Sequence, residues 1–482
     1  MRKTFMGIRL RTLREQRGLS QAAMAEVLQL SPSYLSQLEH DQRPLTVAVL
    51  LRLKQVFDMD VQLFSESDEM RLSAELRETL ATLPGAGNIA DTEIQALAQQ
   101  MPAIGQALLQ LHRRCQSAEE RLGELAHDAD NDHVASGSMV PPYEEVRDYF
   151  YGRRNHVAEL DALAESLHHD WRLDSLCADS SLDLTTRIAT GLNQRLATAH
   201  GVRVLPVPDH SAEGNEALRD YDPQTRTLRV PARLPARRLA FHLATQLAFL
   251  EAGDLIHQLA DDGNFSNDDA RALGRMGLAG YFAGALLLPY TTFLNAAEAL
   301  HYDVELLAQR FDVSFETVCH RLSTLQRPDQ CGIPFFFVRV DRAGNVSKSQ
   351  SATDFHFSRT GGTCPLWNVY EAFSQPRRTL TQVAQTPDGR SYLWIARSVL
   401  QQSGGYNAPT RSFAIGLGCD LRHAARTVYA KGLSLDDPNA ATKIGPGCKV
   451  CDRKDCIQRA FPPLGQKLRV NENLRYVVPY KQ

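Results

Sequence analysis

The chain has 482 residues, of which 43% are hydrophobic and 23% charged, and its formal net charge is −3. This length exceeds what one hydrophobic core organises and predicts about three domains. No apolar run reaches the roughly 20 residues that span a bilayer; the longest, residues 276–289, is interrupted by glycines and ends in proline. The basic N-terminus has no apolar signal-peptide core. We therefore expect a cytoplasmic protein with no membrane partner.

The first domain, predicted over residues 1–66, is a series of short amphipathic helices. Gly18 is placed to end the first helix. Ser20 and Ser31 can cap the second and third helices, and Pro32 takes a first helical position, where proline is tolerated. The first twenty residues carry six basic side chains and one acidic one, so this end of the chain can meet phosphates although the whole molecule is acidic.

The third of these helices leaves a polar face that predicts contacts with DNA. Serine and glutamine can hydrogen-bond base edges in the major groove, while arginine neutralises phosphates. The segment LRTLREQRGLSQAAMAEVLQLSPSYLSQLEHDQRPLT resembles the lambda-repressor/Xre class of helix-turn-helix domains, which usually bind as dimers on two half-sites. We therefore predict that a homodimer or higher oligomer binds double-stranded promoter DNA. The predicted contact residues are Gln21, Ser31, Ser33, Tyr34, Ser36, Gln37 and Arg43.

Residues 67–142 are predicted to form a helical connector and a linker. The stretch up to residue 127 is rich in Glu, Gln, Leu and Ala, with apolar residues three and four positions apart. Residues 127–142 are polar and end in a proline pair, which is typical of a linker. A connector of this kind joins or dimerises domains, and an ordinary surface helix is the alternative.

The third domain, predicted over residues 143–328, is mostly helical with two short strands in GVRVLPVPD and TRTLRVPARL. It resembles the ImmA/IrrE family, whose metal site is a His-Glu-x-x-His helix plus a later Glu. In RRLAFHLATQLAFLE, His242 matches the first His, but Leu243 replaces the catalytic Glu, Gln246 the second His and Met276 the third ligand. A zinc protease needs those ligands and that base. We therefore predict a degenerate zincin-like domain that is not an enzyme, in which His242 is a core or pocket residue.

The last domain, predicted over residues 329–482, is α+β with an antiparallel sheet. IPFFFVRV is a strand followed by a D-R-A-G-N turn, LTQVAQTPDGRSYLWIARSVL is a hairpin with P-D-G at its tip, and SFAIGLGC is a further strand. The whole chain is thus predicted to be multidomain and mainly α: a lambda-repressor-like helix-turn-helix, a degenerate zincin-like domain and an antiparallel-sheet sensor domain.

Three of the nine cysteines cluster as Cys448-x2-Cys451-x4-Cys456. Three close cysteines plus a remote one can hold a [4Fe–4S] cluster, whereas zinc sites usually pair two Cys-x2-Cys halves. We predict a [4Fe–4S] cluster with Cys364 as the fourth ligand and Cys419 as the alternative; zinc or free thiols are the competing interpretations. The remaining thiols, which we expect to be buried and free, are Cys115, Cys177, Cys319 and Cys331.

The whole chain resembles the short-chain fatty acyl-CoA regulator family. The resemblance is carried by the helix-turn-helix, FHLATQLAFLE, GGTCPLWNVYEAF, AIGLGCDLRHA and CKVCDRKDCIQRAFPP. It implies control of genes for propionyl-CoA or acetyl-CoA use, a short-chain acyl-CoA effector and an iron–sulfur cluster in the C-terminal domain. Aromatic residues predicted on one helix with Phe373, beside two arginines, are compatible with CoA contact: Trp367, Tyr370, Arg377 and Arg378. The alternatives are an iron–sulfur redox regulator without an acyl-CoA effector and a metalloprotease-type regulator.

Overall fold

The computed structural model describes residues 7–40, 66–82, 89–112, 141–173, 183–208, 217–352, 364–402, 410–437, 439–448 and 453–462, with single positions in 42–56 and residues 115 and 451. The chain divides into two compact units. The first comprises Met1–Asn131, Asp354–Thr360 and Ala460–Gln482, and the second comprises Asp132–Thr353 and Gly361–Arg459.

In the first unit, helices α1 (Gly7–Gln16), α2 (Gln21–Val27) and α3 (Pro32–Glu39) form the predicted helix-turn-helix. The predicted caps are confirmed, because Ser20 and Ser31 accept hydrogen bonds from the backbone N–H groups three residues ahead, at 3.1 and 3.2 Å. Gly18 follows α1 with a φ of +64°. One small core joins the helices, and it contains Leu10, Leu13, Met24, Ala25, Leu28, Leu35, Leu38, Val49 and Leu53. The fourth predicted helix lies mostly outside the described residues.

The first unit also contains three helices of the predicted connector: α4 (Glu66–Thr82), α5 (Asp91–Gln100) and α6 (residues 102–112). Their shared core is made of Leu72, Leu76, Leu80, Ile94, Ala98 and Leu109. Arg77 and Asp91 link α4 to the start of α5 through a 2.8 Å ion pair. The predicted linker lies outside the described residues except for its last two positions.

The second unit begins with helices and a small sheet. The helices are α7 (Pro142–Gly152), α8 (Ala158–Asp170), α9 (Leu184–His200), α10 (Ala236–Glu251), α11 (Gly253–Asp262), α12 (Asp268–Leu287), α13 (Tyr290–Ala299), α14 (Val304–Arg310) and α15 (Phe315–Leu322). Strands β1 (Arg203–Val207) and β3 (Thr227–Pro231) fall in the two predicted runs and pair in parallel, and β2 (Asp220–Asp222) pairs antiparallel with β3. No single described helix is long and apolar enough to cross a membrane, although α12 and α13 pass that test together across a 62° bend.

The rest of the second unit is built on a six-stranded sheet with the order β5-β4-β8-β7-β6-β9. Its strands are β4 (Phe335–Val340), β5 (Val346–Ser351), β6 (Leu380–Gln385), β7 (Ser391–Gln402), β8 (Thr410–Asp420) and β9 (Thr442–Lys443). All neighbours are antiparallel except β6 and β9. A four-residue helix, α16 (Asn368–Glu371), precedes β6. The predicted hairpin forms as β6 and β7, and the strand with the predicted D-R-A-G-N turn pairs with β5 as a second hairpin. Gly344 and Gly389 give the two turns positive φ values, +89° and +86°, that glycine adopts without strain.

The helices and the six-stranded sheet of the second unit share one hydrophobic core. That core runs from Val157 on the helical side to Leu417 and Ala424 beside the sheet. Inside the helical part, the Arg321 guanidinium donates to both carboxylate oxygens of Asp161, at 2.7 and 3.1 Å. The Tyr281 hydroxyl donates to the same carboxylate at 2.7 Å, and Arg321 also donates to the Leu288 carbonyl at 2.9 Å. The carboxylate and the guanidinium are therefore buried as an ion pair, and each also makes a further hydrogen bond, to Tyr281 and to the Leu288 carbonyl.

Candidate functional sites: DNA-reading helix, degenerate metal site and cysteine cavity

Helix α3 presents the predicted DNA-contacting face. Ser33 is exposed, and Tyr34, Ser36 and Gln37 are half-buried. Arg43 is exposed and its guanidinium lies 5.6 Å from the centre of the Tyr34 ring, so the two side chains are held at the same edge of the helix. The exposed Ser31 hydroxyl caps the start of α3. Contacts of these polar groups with base edges and phosphates stay a prediction.

A buried carboxylate positions this helix, and sequence reasoning missed it. Glu39, only 4% exposed, accepts hydrogen bonds from Arg14 at 2.7 Å and from the Gln21 side chain at 3.0 Å. These contacts tie the end of α3 to α1 and to the first residue of α2. The Gln21 amide, predicted to contact DNA, is therefore held by Glu39. The only sequence signal for this network is an acidic residue on a predicted DNA-binding helix.

Replacing Gln37 with alanine is expected to weaken binding to the cognate promoter by about 10- to 100-fold, since a bidentate contact with a base is worth about 1–3 kcal/mol. Binding to unrelated DNA should change little, because phosphate contacts carry it. Fluorescence anisotropy at one fixed salt concentration measures both affinities. Gln106→Ala, an exposed glutamine of α6, is the matched control. An equal loss on both DNAs would contradict a base-reading role.

Helix α10 corresponds to the His-Glu-x-x-His helix of a zinc protease, but two of its three functional positions hold other residues. His242 and Gln246 lie one turn apart, and Leu243 is fully buried in the core. Arg219 donates to the buried Gln246 side-chain oxygen at 2.5 Å, and its guanidinium lies 5.1 Å from the Phe249 ring centre. A fixed guanidinium therefore stands beside the two positions that bind zinc in a His-Glu-x-x-His helix. Its positive charge opposes a metal cation there.

The lowered pKa of His242 agrees with the position of the Arg219 guanidinium. Burial lowers its pKa to about 4, and the charges of Arg219 and Arg238 act in the same direction. The residue at the third ligand position, Met276, lies on α12 and is 59% exposed. On α10 the positions of the general base and the second histidine are held by Leu243 and Gln246. The one carboxylate of this helix, Glu251, lies at its end and is bound by Arg195 at 3.0 Å and His200 at 2.8 Å.

Removing the Arg219 charge is expected to raise the pKa of His242 from about 4 towards the ordinary histidine value, with burial still holding it below that value. Histidine hydrogen–deuterium exchange followed by mass spectrometry resolves this titration in the full-length Arg219→Gln variant. Arg237→Gln changes a neighbouring exposed arginine of α10 and should leave the titration in place. An unchanged His242 pKa in Arg219→Gln would contradict the placement of the guanidinium charge.

The cysteine cluster forms one side of a small cavity. Cys448, Cys451 and Cys456 line it together with Cys364, and the free space within it, including the part open to solvent, is about 300 Å³. All four thiols are free. Cys419, the alternative fourth ligand, lies elsewhere: it is fully buried on β8, where burial raises its pKa to about 12. The structure thus brings the three clustered cysteines together with Cys364 and leaves Cys419 in the core.

Two arginines hold the backbone around this cavity. Arg459, only 7% exposed, donates to the carbonyls of Cys448 at 3.2 Å and Cys451 at 3.1 Å, and also to the carbonyl of Arg453. Arg453 in turn donates to the carbonyl of Ile444 at 2.9 Å. Hydrogen bonds from two guanidinium groups to backbone carbonyls therefore hold the cysteine loop in place. Sequence analysis did not single out Arg459, because nothing in the motif indicates that its guanidinium turns back onto the loop.

The glycine before the cluster makes room for a sulfur atom. A Cβ atom placed on Gly445 would lie 2.5 Å from the Cys451 Sγ, which is closer than real Cβ contacts come. Burial raises the pKa of Cys364, and the nearby thiols of Cys451 and Cys448 raise it further, although hydrogen bonds with the backbone act against this. Burial likewise raises the pKa of Cys451, while Arg459 acts against it. The thiol groups are therefore close enough for the charge of one to raise the pKa of another.

The described side chains around the cysteine cavity do not surround a single metal ion. Within the described part of the chain, no three or more His, Cys, Asp or Glu residues are arranged so that they could hold one metal ion. The four cysteines nevertheless line the same space, with donors spread around it. Four cysteine thiols on one cavity are a donor set that serves a [4Fe–4S] cluster or a structural zinc ion.

The remaining cysteines differ in part from expectation. Cys319 is buried as predicted, but Cys115 and Cys331 are exposed, so the prediction that they are buried is wrong. Cys331 lies after α15 in a turn, where its Sγ is 2.9 Å from the Arg327 carbonyl, and Cys115 lies beyond the helical core of the first unit. Cys177 falls outside the described residues.

The residues predicted to contact CoA do not share one helix. Helix α16 covers only Asn368–Glu371, so Trp367 precedes it and Phe373 follows it. Trp367 is 1% exposed and stacks on Trp394 with ring centres 5.2 Å apart. Trp367 is therefore packed in the core of the second unit, and its contact with CoA stays a prediction. Tyr370 is half-buried beside the turn at Gly344, and the two arginines, Arg377 and Arg378, are exposed.

Comparison with known proteins gives three successive matches along the chain. Residues 6–66 match a helix-turn-helix domain, residues 197–323 the IrrE N-terminal-like domain, and residues 324–480 the C-terminal domain of the short-chain fatty acyl coenzyme A regulator. These matches confirm the predicted fold class, including an IrrE-like middle domain and a C-terminal domain with a sheet.

Similarity to curated relatives extends over the full length. The HTH-type transcriptional regulator RamB of Mycobacterium tuberculosis H37Rv is 49% identical, covering 100% of this chain and 99% of the relative. PrpR of the same strain is 46% identical over 99% of this chain and 96% of its own, and the propionyl-CoA carboxylase regulator of Cereibacter sphaeroides is 40% identical over 99% of both. A solved structure of a Mycobacterium tuberculosis transcriptional regulator matches 71% of this chain and all of its own, with 48% identity and a TM-score of 0.65.

The helix-turn-helix and the full-length similarity to HTH-type regulators place this protein in the class of helix-turn-helix transcriptional regulators. More specifically, the chain belongs to the short-chain fatty acyl-CoA regulator family, as the sequence resemblance predicted.

Proposed function

We propose that this protein is a homodimeric, ligand-responsive regulator of genes for short-chain acyl-CoA metabolism. Promoter DNA binds α3, propionyl-CoA or acetyl-CoA is the effector, and a [4Fe–4S] cluster is held in the second unit. The observation that carries the proposal is the cavity lined by four cysteines in a chain whose helix-turn-helix is formed by α1, α2 and α3. The protein acts by binding and is not an enzyme, and we expect it to work in the cytoplasm.

The residues that would hold the cluster are Cys364, Cys448, Cys451 and Cys456. The cluster would supply four thiolate bonds between the loop after residue 444 and the segment before α16, and it would carry one-electron redox chemistry. The chain's own part is to prepare the loop: Arg459 and Arg453 fix its carbonyls, and Gly445 leaves space beside Cys451. The guanidinium groups of the buried Arg459 and the half-buried Arg453 would also offset the negative charge of the thiolates.

Anaerobic purification with iron and acid-labile sulfide assays tests the cofactor. We expect about four iron and four sulfide per chain, the stoichiometry of a [4Fe–4S] cluster. A colourless protein with one zinc ion would overturn the cluster assignment and favour the runner-up.

Support for an acyl-CoA effector comes from the family and from a relative that is named a propionyl-CoA carboxylase regulator. An effector can change DNA affinity only if it binds one global state better than the other. The Arg219 and Arg238 guanidinium groups near His242 and the exposed Arg377 and Arg378 are cationic groups that could bind the phosphates of CoA. Isothermal titration with propionyl-CoA and with free CoA separates recognition of the acyl group from recognition of the phosphates.

An iron–sulfur redox regulator without an acyl-CoA effector is the second candidate, because the same cavity supports it. It predicts a change in DNA affinity when the cluster is oxidised or reduced and none when propionyl-CoA is added. Measuring DNA affinity with each stimulus in turn distinguishes the two candidates.

A further inference from the structure

Both segments that carry the cavity cysteines are hydrogen-bonded to the same strand, β6. In the first of them, Leu366 and Asn368 lie two and four residues after Cys364. The Gln382 side chain of β6 donates to the Leu366 carbonyl at 2.9 Å and accepts from the Asn368 backbone N–H at 3.1 Å. The Cys364 segment is therefore attached to β6 through one glutamine side chain.

The loop that carries the other three cysteines is attached at the end of the same strand. Strand β9 pairs with Ala384 and Gln385 of β6, and the Ile444 N–H donates to the Gln385 carbonyl at 3.0 Å. The Arg453 guanidinium donates to the same carbonyl and to the Ile444 carbonyl, the latter at 2.9 Å. One backbone carbonyl of β6 therefore accepts both a backbone N–H next to β9 and the guanidinium of the cysteine loop.

The two attachments differ in how much structure supports them. The Cys364 segment continues into the core through Trp367 and Asn368, which are 1% and 4% exposed. The loop is attached through β9, a strand of only two residues, and through the buried side chain of Ile444. A two-residue strand at the edge of a sheet has few hydrogen bonds of its own, so it opens more readily than the core does. The loop is therefore the weaker of the two attachments.

A metal centre bound by the four cysteines would strengthen the weaker attachment. Cys364 lies on the firmly attached segment, and Cys448, Cys451 and Cys456 lie on the loop, across one cavity. Metal bonds to both sides would close a ring that runs from Cys364 through β6 and β9 to the loop. Closing a ring in this way disfavours the open state of the segment that it contains.

We propose that β9 is a metal-dependent strand, which pairs with β6 while the four cysteines hold a metal centre and separates from β6 when the metal is lost. Loss of the metal thereby exposes the backbone edge of β6 and changes the six-stranded sheet beyond the cavity. The inference rests on the proposed cysteine site, but neither on the identity of its metal nor on the acyl-CoA effector.

Hydrogen–deuterium exchange followed by mass spectrometry tests this on the full-length protein. The anaerobically purified protein is compared with the same protein after phenanthroline has removed the metal, in the presence of a thiol reductant that keeps the cysteines free. A peptide covering residues 440–447 should exchange about 10-fold faster after metal removal, because β9 opens more often. Peptides from β4 and β8, in the centre of the sheet, should not change. Equal exchange of residues 440–447 in the two samples would overturn the proposal.

The variant Arg453→Gln tests the same link in the opposite direction. Coupling is reciprocal, so contacts that hold β9 on β6 must also help to retain the metal. Without the guanidinium hydrogen bonds, the metal should pass to phenanthroline about 10-fold faster than in the wild type, and residues 440–447 should exchange faster even in the metal-loaded protein. Lys454→Gln changes the adjacent exposed side chain and should behave as the wild type. Wild-type metal release by Arg453→Gln would count against the proposal.

Iron, sulfide and zinc are assayed in the same samples, so failure of the cofactor proposal is seen separately. A protein with one zinc ion and a metal-dependent β9 would overturn the [4Fe–4S] assignment and support this inference. A protein with a complete cluster whose β9 exchanges alike with and without it would do the reverse. Propionyl-CoA is left out of every sample, so the outcome is independent of the effector.

Discussion

Replacing Cys364 with serine is expected to abolish retention of iron, whereas replacing Cys419 with serine should leave the iron content unchanged. Cys364 lines the cavity with the three clustered cysteines, and Cys419 is buried on β8 in the core. Loss of one of four thiolates removes an iron ligand that serine replaces poorly. Iron and sulfide assays on anaerobically purified variants measure the difference.

Cys419→Ser is also the stability control, because it alters a core thiol and leaves the cavity untouched. A Cys364→Ser protein that keeps its full iron content, or a Cys419→Ser protein that loses iron while still folded, would contradict this ligand assignment. Gly445→Ala should resemble Cys364→Ser in part, since its methyl group would displace the Cys451 sulfur.

Replacing Arg321 with methionine is expected to lower the free energy of unfolding of the second unit by about 3–5 kcal/mol, because the buried Asp161 carboxylate would lose its guanidinium partner. It would keep the Tyr281 hydroxyl at 2.7 Å and His156 at 3.6 Å. Arg321 and Asp161 are both almost completely buried, at 3% and 1% exposure. The three tryptophans, Trp171, Trp367 and Trp394, all lie in this unit, so urea unfolding followed by tryptophan fluorescence reports on it alone.

Two further variants sharpen that measurement. The double variant Asp161→Leu with Arg321→Met should recover much of the loss, because no buried charge remains unpaired. Arg229→Met breaks an exposed ion pair with Asp220 and should cost less than about 1 kcal/mol. An Arg321→Met protein as stable as the wild type would contradict the assigned role of the pair.

The same pair predicts a pH dependence. Burial alone would raise the pKa of Asp161, but the charge and hydrogen bonds of Arg321 outweigh it and hold the pKa below its ordinary value. A depressed folded-state pKa gives stability that is complete above the unfolded value of about 3.9 and is lost as pH falls through the folded value. The advantage of the wild type over Arg321→Met should therefore shrink as pH falls, first because burial raises the pKa of Asp161 in the variant and protonation removes its buried charge, and then because the wild-type carboxylate is protonated below its ordinary pKa.

Local signals predicted much of this molecule correctly. The caps at Ser20 and Ser31 and the turn glycines at Gly344 and Gly389 are each determined by neighbouring residues, and the structure confirms them. The cysteine cluster was recognisable because three of its members lie within nine positions. Cys364, more than eighty residues away, was selected from its glycine-rich surroundings, and the fold places it at the same cavity.

Long-range contacts account for what the sequence did not reveal. The buried carboxylate of Glu39 and the returning guanidinium of Arg459 depend on partners that only the folded backbone brings near. The spacing of Trp367 does not reveal that its ring stacks on Trp394, because an aromatic residue in a core and one in a pocket have the same spacing. The guanidinium beside Gln246 comes from a different segment of the chain, which no helix motif reports.

The central claim, that an acyl-CoA effector controls DNA binding by this regulator, is tested most directly by fluorescence anisotropy. Labelled promoter DNA is titrated with the anaerobically purified, full-length protein, with and without saturating propionyl-CoA, at one fixed salt concentration. A coupling free energy of about 1–3 kcal/mol predicts a change in DNA affinity of about 5- to 150-fold. Identical titration curves with and without propionyl-CoA would contradict the account.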